Sequence, residues 1–225
     1  MTLCCCNIAP ARLAAFITFA LASTLAGPVQ AEPVCGSNAD RQFDAVRVYS
    51  KSFTASCKPG GECVVSTHRM DDKAALGFSH TFNFHRTNPA GTWQVMLVAL
   101  NADANTQTSF SLKVDKNKAM IFSTEHIKPG TSTNEYMLDP ALTDLVLAEV
   151  KPGNTVVWSY TTSSGESTNV PFSLAGVTDA LEWASCAQAQ LVSGKTDPIG
   201  LEKPEPVLSA PDPSVPVDPV GDGSD

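Results

Sequence analysis

Apolar and polar residues alternate with a period of two along most of the chain, and near residue 177 the period lengthens to that of a helix. The alternation is cleanest over Ala75–Arg86, where Leu76, Phe78, His80, Phe82 and Phe84 share one face and Gly77, Ser79, Thr81, Asn83 and His85 the other. Phe43–Tyr49 and Lys51–Cys57 are short strand-like runs, and Glu62–His68 follows a Lys-Pro-Gly-Gly turn that predicts a hairpin. Thr92–Leu100 is apolar on both faces, the pattern of a central strand in a two-layer structure. Ser109–Asp115 and Ala119–Ser123 predict a hairpin around Lys116-Asn117-Lys118. Thr155–Thr162 and Ser167–Leu174 predict another around Ser163–Glu166. Glu32–Arg41 reads as a polar tethered segment and His126–Glu135 as a loop.

Two stretches carry helical signals. Over Leu138–Val150, Asp139 is placed to cap, Pro140 stands at the first helical position, and Leu142, Leu145 and Val146 share a face until Pro152-Gly153 stops the helix. Pro171–Gln190 organises the folded part. Its lead-in is strand-like, and Val177, Ala180, Leu181 and Ala184 then form the apolar stripe of a helix. The pattern as a whole predicts a mainly β, two-layer, sandwich-like single domain over residues 32–194 with two short helices.

Composition changes this picture mainly at the two ends. Residues 1–31 hold a single Arg12, an apolar run from Leu13 to Gly27, and small residues at Val29 and Ala31, the pattern of a secretory signal peptide cut after Ala31. The run is short of the roughly 20 apolar residues that cross a bilayer. Pro28 stands where a lipobox needs cysteine. The expectation is export to the periplasm or medium, with no membrane span in the mature protein. Of the formal charge of −8, residues 195–225 carry −5, from seven acids against two lysines; with seven prolines and few large apolar residues they read as an extended acidic tail.

Removing the leader removes Cys4, Cys5 and Cys6 and leaves Cys35, Cys57, Cys63 and Cys186, an even number in an oxidising compartment. Three pairings are formally open to four cysteines. The Lys-Pro-Gly-Gly-Glu turn brings two strand ends together and favours Cys57 with Cys63, which leaves Cys35 with Cys186.

Candidate chemistry is sparse. The cysteines show no C-x-x-C pair and have no histidine at ligand spacing, and His80 and His85 fall on opposite faces of one strand, so no metal site is expected. His80 reads as a hydrogen-bonded core or rim residue. No G-x-S-x-G, S-x-x-K or H-E-x-x-H motif is present, and nothing calls for a cofactor. No clustered Lys and Arg point to nucleic acid. Trp93 and Trp158 are expected in the core, whereas Trp183, beside the helical stripe, and Phe172 form a possible binding rim.

The aromatic-x-x-x-Cys run Phe53–Cys57 with Cys63 close behind, the W-Q-V-x-L of Trp93–Leu97, and the S-L-x-G-x-x-x-A-L of Ser173–Leu181 together resemble the invasion associated locus B family of exported bacterial proteins. The motif residues are Ser173, Leu174, Gly176, Ala180 and Leu181. The chain departs in carrying Phe53 where the family usually has tryptophan. The resemblance implies a non-enzymatic envelope protein that works through an unidentified protein partner, in host interaction or an envelope role. A small-ligand or glycan-binding module, using Phe172 and Trp183, is the other expectation. Within the motif, Gly176 is expected to permit a tight strand-to-helix turn, which makes the motif a structural junction.

Overall fold

The computed structural model describes residues 33–194 other than 101, 102, 131 and 133; the expected leader over 1–31 and the expected tail over 195–225 lie outside the described residues. The chain is mainly β. Among the described residues, twelve strands run in order: β1 Asp40–Gln42, β2 Ala45–Ser50, β3 Phe53–Cys57, β4 Cys63–Met70, β5 Phe78–Arg86, β6 Gln94–Ala99, β7 Phe110–Val114, β8 Met120–Phe122, β9 Ile127–Pro129, β10 Glu135–Leu138, β11 Thr155–Thr161 and β12 Ser167–Ser173. Helix α1, Thr143–Val150, lies between β10 and β11, and helix α2, Val177–Val192, follows β12.

All strand pairs are antiparallel. They make an eight-stranded sheet, β1-β2-β3-β4-β5-β6-β10-β9, and a four-stranded sheet, β12-β11-β7-β8. Register follows from the period of two. Phe53, Ala55 and Cys57 on β3, Cys63, Val65 and Thr67 on β4, Phe82 and Phe84 on β5, and Val95, Leu97 and Ala99 on β6 all point to one buried face. The small sheet covers part of that face with Phe110, Leu112, Trp158 and Phe172. Phe82 is the meeting point, its ring 6.0 Å from Trp158 and 5.8 Å from Phe172.

Helix α2 completes the second layer by packing on β2, β3 and β4. Ala180, Ala184 and Ala187, all fully buried, let its backbone come close: the Ala184 carbonyl oxygen lies 3.6 Å from both sulfurs of the Cys57–Cys63 disulfide. That disulfide closes the β3–β4 turn, where Lys58 N–H donates to the Glu62 carbonyl. A second disulfide, Cys35–Cys186, ties the N-terminal segment to α2, beside a hydrogen bond from the Trp183 indole N–H to the Val34 carbonyl.

Several elements differ from the expectation. The strand expected from Ala75 begins only at Phe78; Gly77 is left-handed, φ +74, and leaves Leu76 outside in a turn. The expected loop 126–135 contains β9, three residues whose pairing with β10 leaves no periodicity to read. Asp139 caps as expected, accepting the Ala141 N–H at 2.9 Å, but it caps a 3-10 turn, Pro140–Leu142, that leads into α1. β6, read as apolar on both faces, is half-buried on its outer one. Among the described residues, no second layer covers that side.

Candidate functional site

Neither the small sheet nor α2 lies on the outer face of the eight-stranded sheet, and alternation there sets polar groups in cross-strand rows. Arg47, Ser56, Val64, His85 and Gln94 make one row, and Tyr49, Thr54, Ser66, Asn83 and Met96 the next. His68 follows beside Thr81, its Nδ1 3.1 Å from the Thr81 hydroxyl and its ring 4.7 Å from Phe78. Arg47, Tyr49, Thr54, Ser56, Val64, Ser66 and His68 line a depression of about 470 Å³.

This surface is chemically suited to recognition. Tyr49 is 61% exposed and offers an aromatic face with a hydroxyl. Arg47 supplies a permanent charge; its Nη1 donates to Gln42, whereas its Nε is buried without a partner, as is the Asn83 Oδ1. Serine and threonine hydroxyls lie between, and Val64 and Met96 provide half-buried aliphatic contact. Nothing in the sequence singles out Arg47, Tyr49 or Val64, because a position alternating with core positions has the same pattern whether or not it binds anything.

The structure corrects the expected rim. Phe172 and Trp183 are 3% and 7% exposed. Phe172 faces Phe82 in the core. Trp183 is covered because α2 buries a wider arc than its alanine stripe and because the segment carrying Val34 folds across it and accepts its N–H. The motif residues sit at the β12–α2 junction. Leu174, Ala180 and Leu181 are buried. The Ser173 hydroxyl accepts from Ser52 Oγ at 2.9 Å and from the Ala175 N–H at 3.3 Å. Gly176 stands immediately before α2 in the left-handed region, φ +89.

His80 lies in the core at the end of the inner face, Nε2 2.7 Å from the Tyr160 hydroxyl and Nδ1 3.0 Å from the Ser79 hydroxyl. Burial pushes the Tyr160 phenol up to about 12. Burial first, and Arg69 second, hold the His80 imidazole below its ordinary value, with Asp71 opposing. A neutral ring satisfies both contacts with one N–H and one acceptor nitrogen. Between the depressed value and about 6.5, the unfolded chain therefore binds more proton at this histidine than the folded protein, so stability present at neutral pH is lost as pH falls through that window. The melting temperature is expected to drop as pH falls below about 6.5, and His80→Gln to flatten that slope. Glu62, whose carboxylate is held down chiefly by its hydrogen bond to Lys58, loses its contribution only at lower pH. An unchanged slope in the variant would assign the acid sensitivity elsewhere.

Among the described residues, no group of three or more His, Cys, Asp and Glu is placed to hold a metal ion, and no helix is long and apolar enough to cross a membrane.

A family model described as "Invasion associated locus B (IalB) protein" matches residues 55–185. Among solved structures, the crystal structure of invasion associated protein b from Bartonella henselae superposes with a TM-score of 0.49 at 13% identity, covering 66% of this chain and 97% of that one. No curated protein matches.

Proposed function

The chain belongs to the invasion associated locus B family, and from that premise we propose that it is an exported, non-enzymatic envelope protein, periplasmic or secreted, that acts by holding another protein on the outer face of its eight-stranded sheet. The observation that carries this reading is the depression of about 470 Å³ lined by Arg47, Tyr49 and His68. Arginine and tyrosine are enriched in interface hot spots, where a planar charged or aromatic group fills a partner's pocket at low entropic cost. The unpaired Arg47 Nε and Asn83 Oδ1 also supply polar groups that a partner or bridging water can satisfy.

A photo-crosslinking residue placed at position 49 tests this in living cells, with the same residue at exposed position 121 on the small sheet as the control. A discrete adduct is expected at 49 and not at 121, and Arg47→Glu is expected to abolish it. Equal adducts at both positions, or none at 49, would overturn the assignment of this face. A turnover lost on replacing a single residue would overturn the non-enzymatic reading.

A further inference from the structure

A second concave site lies away from the outer face, between α1, α2 and the residue that leads into β6. Trp93, Leu147, Lys151, Leu181, Glu182 and Ser185 line a pocket of about 220 Å³. We propose that it binds a small zwitterion, an α-amino acid with an apolar side chain.

The floor is apolar and held in place. Trp93 and Leu181 are 8% and 3% exposed. The Arg86 guanidinium sits 4.3 Å from the Trp93 ring centroid and donates from Nη2 to Ser185 Oγ at 3.0 Å; Ser185 in turn donates to the Leu181 carbonyl at 2.8 Å. A fourth tie joins the helices, Thr178 Oγ1 donating to the Lys151 carbonyl at 3.1 Å. One arginine thus fixes both the aromatic wall and the α2 wall. A floor held this way does not have to be ordered when a ligand arrives.

The charges at the mouth are of both signs. Lys151 and Glu182 line the pocket, and neither takes part in an ion pair among the described residues. Arg86, bound to two of the lining residues, Trp93 and Ser185, has no carboxylate partner there either, so its charge adds to that of Lys151. A plain carboxylate would meet Lys151 but leave Glu182 facing a second anion; a plain amine would meet Glu182 but face two cations. A zwitterion satisfies both ends and lays its side chain on Trp93, Leu147 and Leu181. The volume agrees, since a cavity of about 150 Å³ takes benzene.

The test is calorimetric titration of the full exported chain with L-phenylalanine and L-leucine, alongside 3-phenylpropionate and phenethylamine, which each lack one charge, and with thermal unfolding measured in parallel. The expected result is saturable binding of the amino acids in the millimolar range or tighter, a raised melting temperature, and at least about tenfold weaker binding of both half-ligands. Lys151→Met and Glu182→Gln, both changes at solvent-facing charges, are expected to weaken phenylalanine by a similar factor while leaving the unliganded melting temperature unchanged. Binding of 3-phenylpropionate as tight as that of phenylalanine, variants that bind like the parent, or no saturable binding up to about 50 mM would each overturn the proposal.

Discussion

Replacing Gly176 with alanine is expected to destabilise the protein by about 3 kcal/mol or more, from two contributions that separate experimentally. The first is conformational: φ is +89, where a side chain costs roughly 1–2 kcal/mol. The second is contact. A Cβ built there falls 2.1 Å from the Ser50 carbonyl oxygen and 2.7 Å from its carbonyl carbon. Those are backbone atoms at the end of β2, so no rotamer change relieves the overlap, and the start of α2 must move away from the end of that strand. Such overpacking costs about 1–3 kcal/mol further. Gly165, in the β11–β12 turn, is the built-in control: its φ is also +89, but a Cβ there meets nothing within 4 Å. Gly165→Ala is therefore expected to show only the conformational part, about 1 kcal/mol. Denaturant melts of the two variants measure the difference. Equal losses would mean that β2 and α2 do not approach as described.

This junction shows what was legible in the sequence. The Ser-Leu-Ala-Gly run, the Trp93–Leu97 run and the Phe53–Cys57 run carried the family resemblance, and the family match spans 55–185. The two-layer β architecture followed from alternation, which works wherever one face is buried and the other is not. It failed where that contrast is absent. β1 is exposed at all three residues, and β9 is three residues long, so neither has a period to detect. Trp183 was misplaced for a different reason. Its burial depends on a segment 149 residues earlier in the chain, and nothing local to α2 encodes that cover.

The outer face illustrates the limit on function. Arg47, Tyr49 and His68 come from two strands that are not neighbours in the sheet, and only the pairing register brings them around one depression. The α1–α2 pocket likewise draws Trp93 from before β6, Lys151 from the end of α1 and Ser185 from α2. Each of these side chains, taken singly in the sequence, has an ordinary surface or core reading.

Losing the Cys35–Cys186 disulfide is expected to be the costliest covalent change, because the bond spans 151 residues and so links nearly the whole folded chain. In the chain-entropy account it removes about 5 kcal/mol of unfolded-state freedom, against roughly 2 kcal/mol for Cys57–Cys63, which spans only six residues. Paired alanine substitutions compare them, but burial complicates a direct reading. Cys57 and Cys63 are fully buried against Ala184, so their removal also leaves a small cavity worth about 1 kcal/mol, whereas Cys186 is exposed and Cys35 only partly buried, so that pair leaves less. The expected order still holds, with the Cys35→Ala, Cys186→Ala pair the less stable of the two. The denaturant dependence decides the cause independently of any cavity. Cutting the long link lets the unfolded chain expand, which raises the slope m, while cutting the six-residue link leaves it nearly unchanged. If the two variants share the parent's m, the stabilisation by Cys35–Cys186 must come from the native state, from holding Val34 over Trp183. In that case Trp183→Phe, which removes the N–H donated to Val34, is expected to reproduce much of the loss with the disulfide intact.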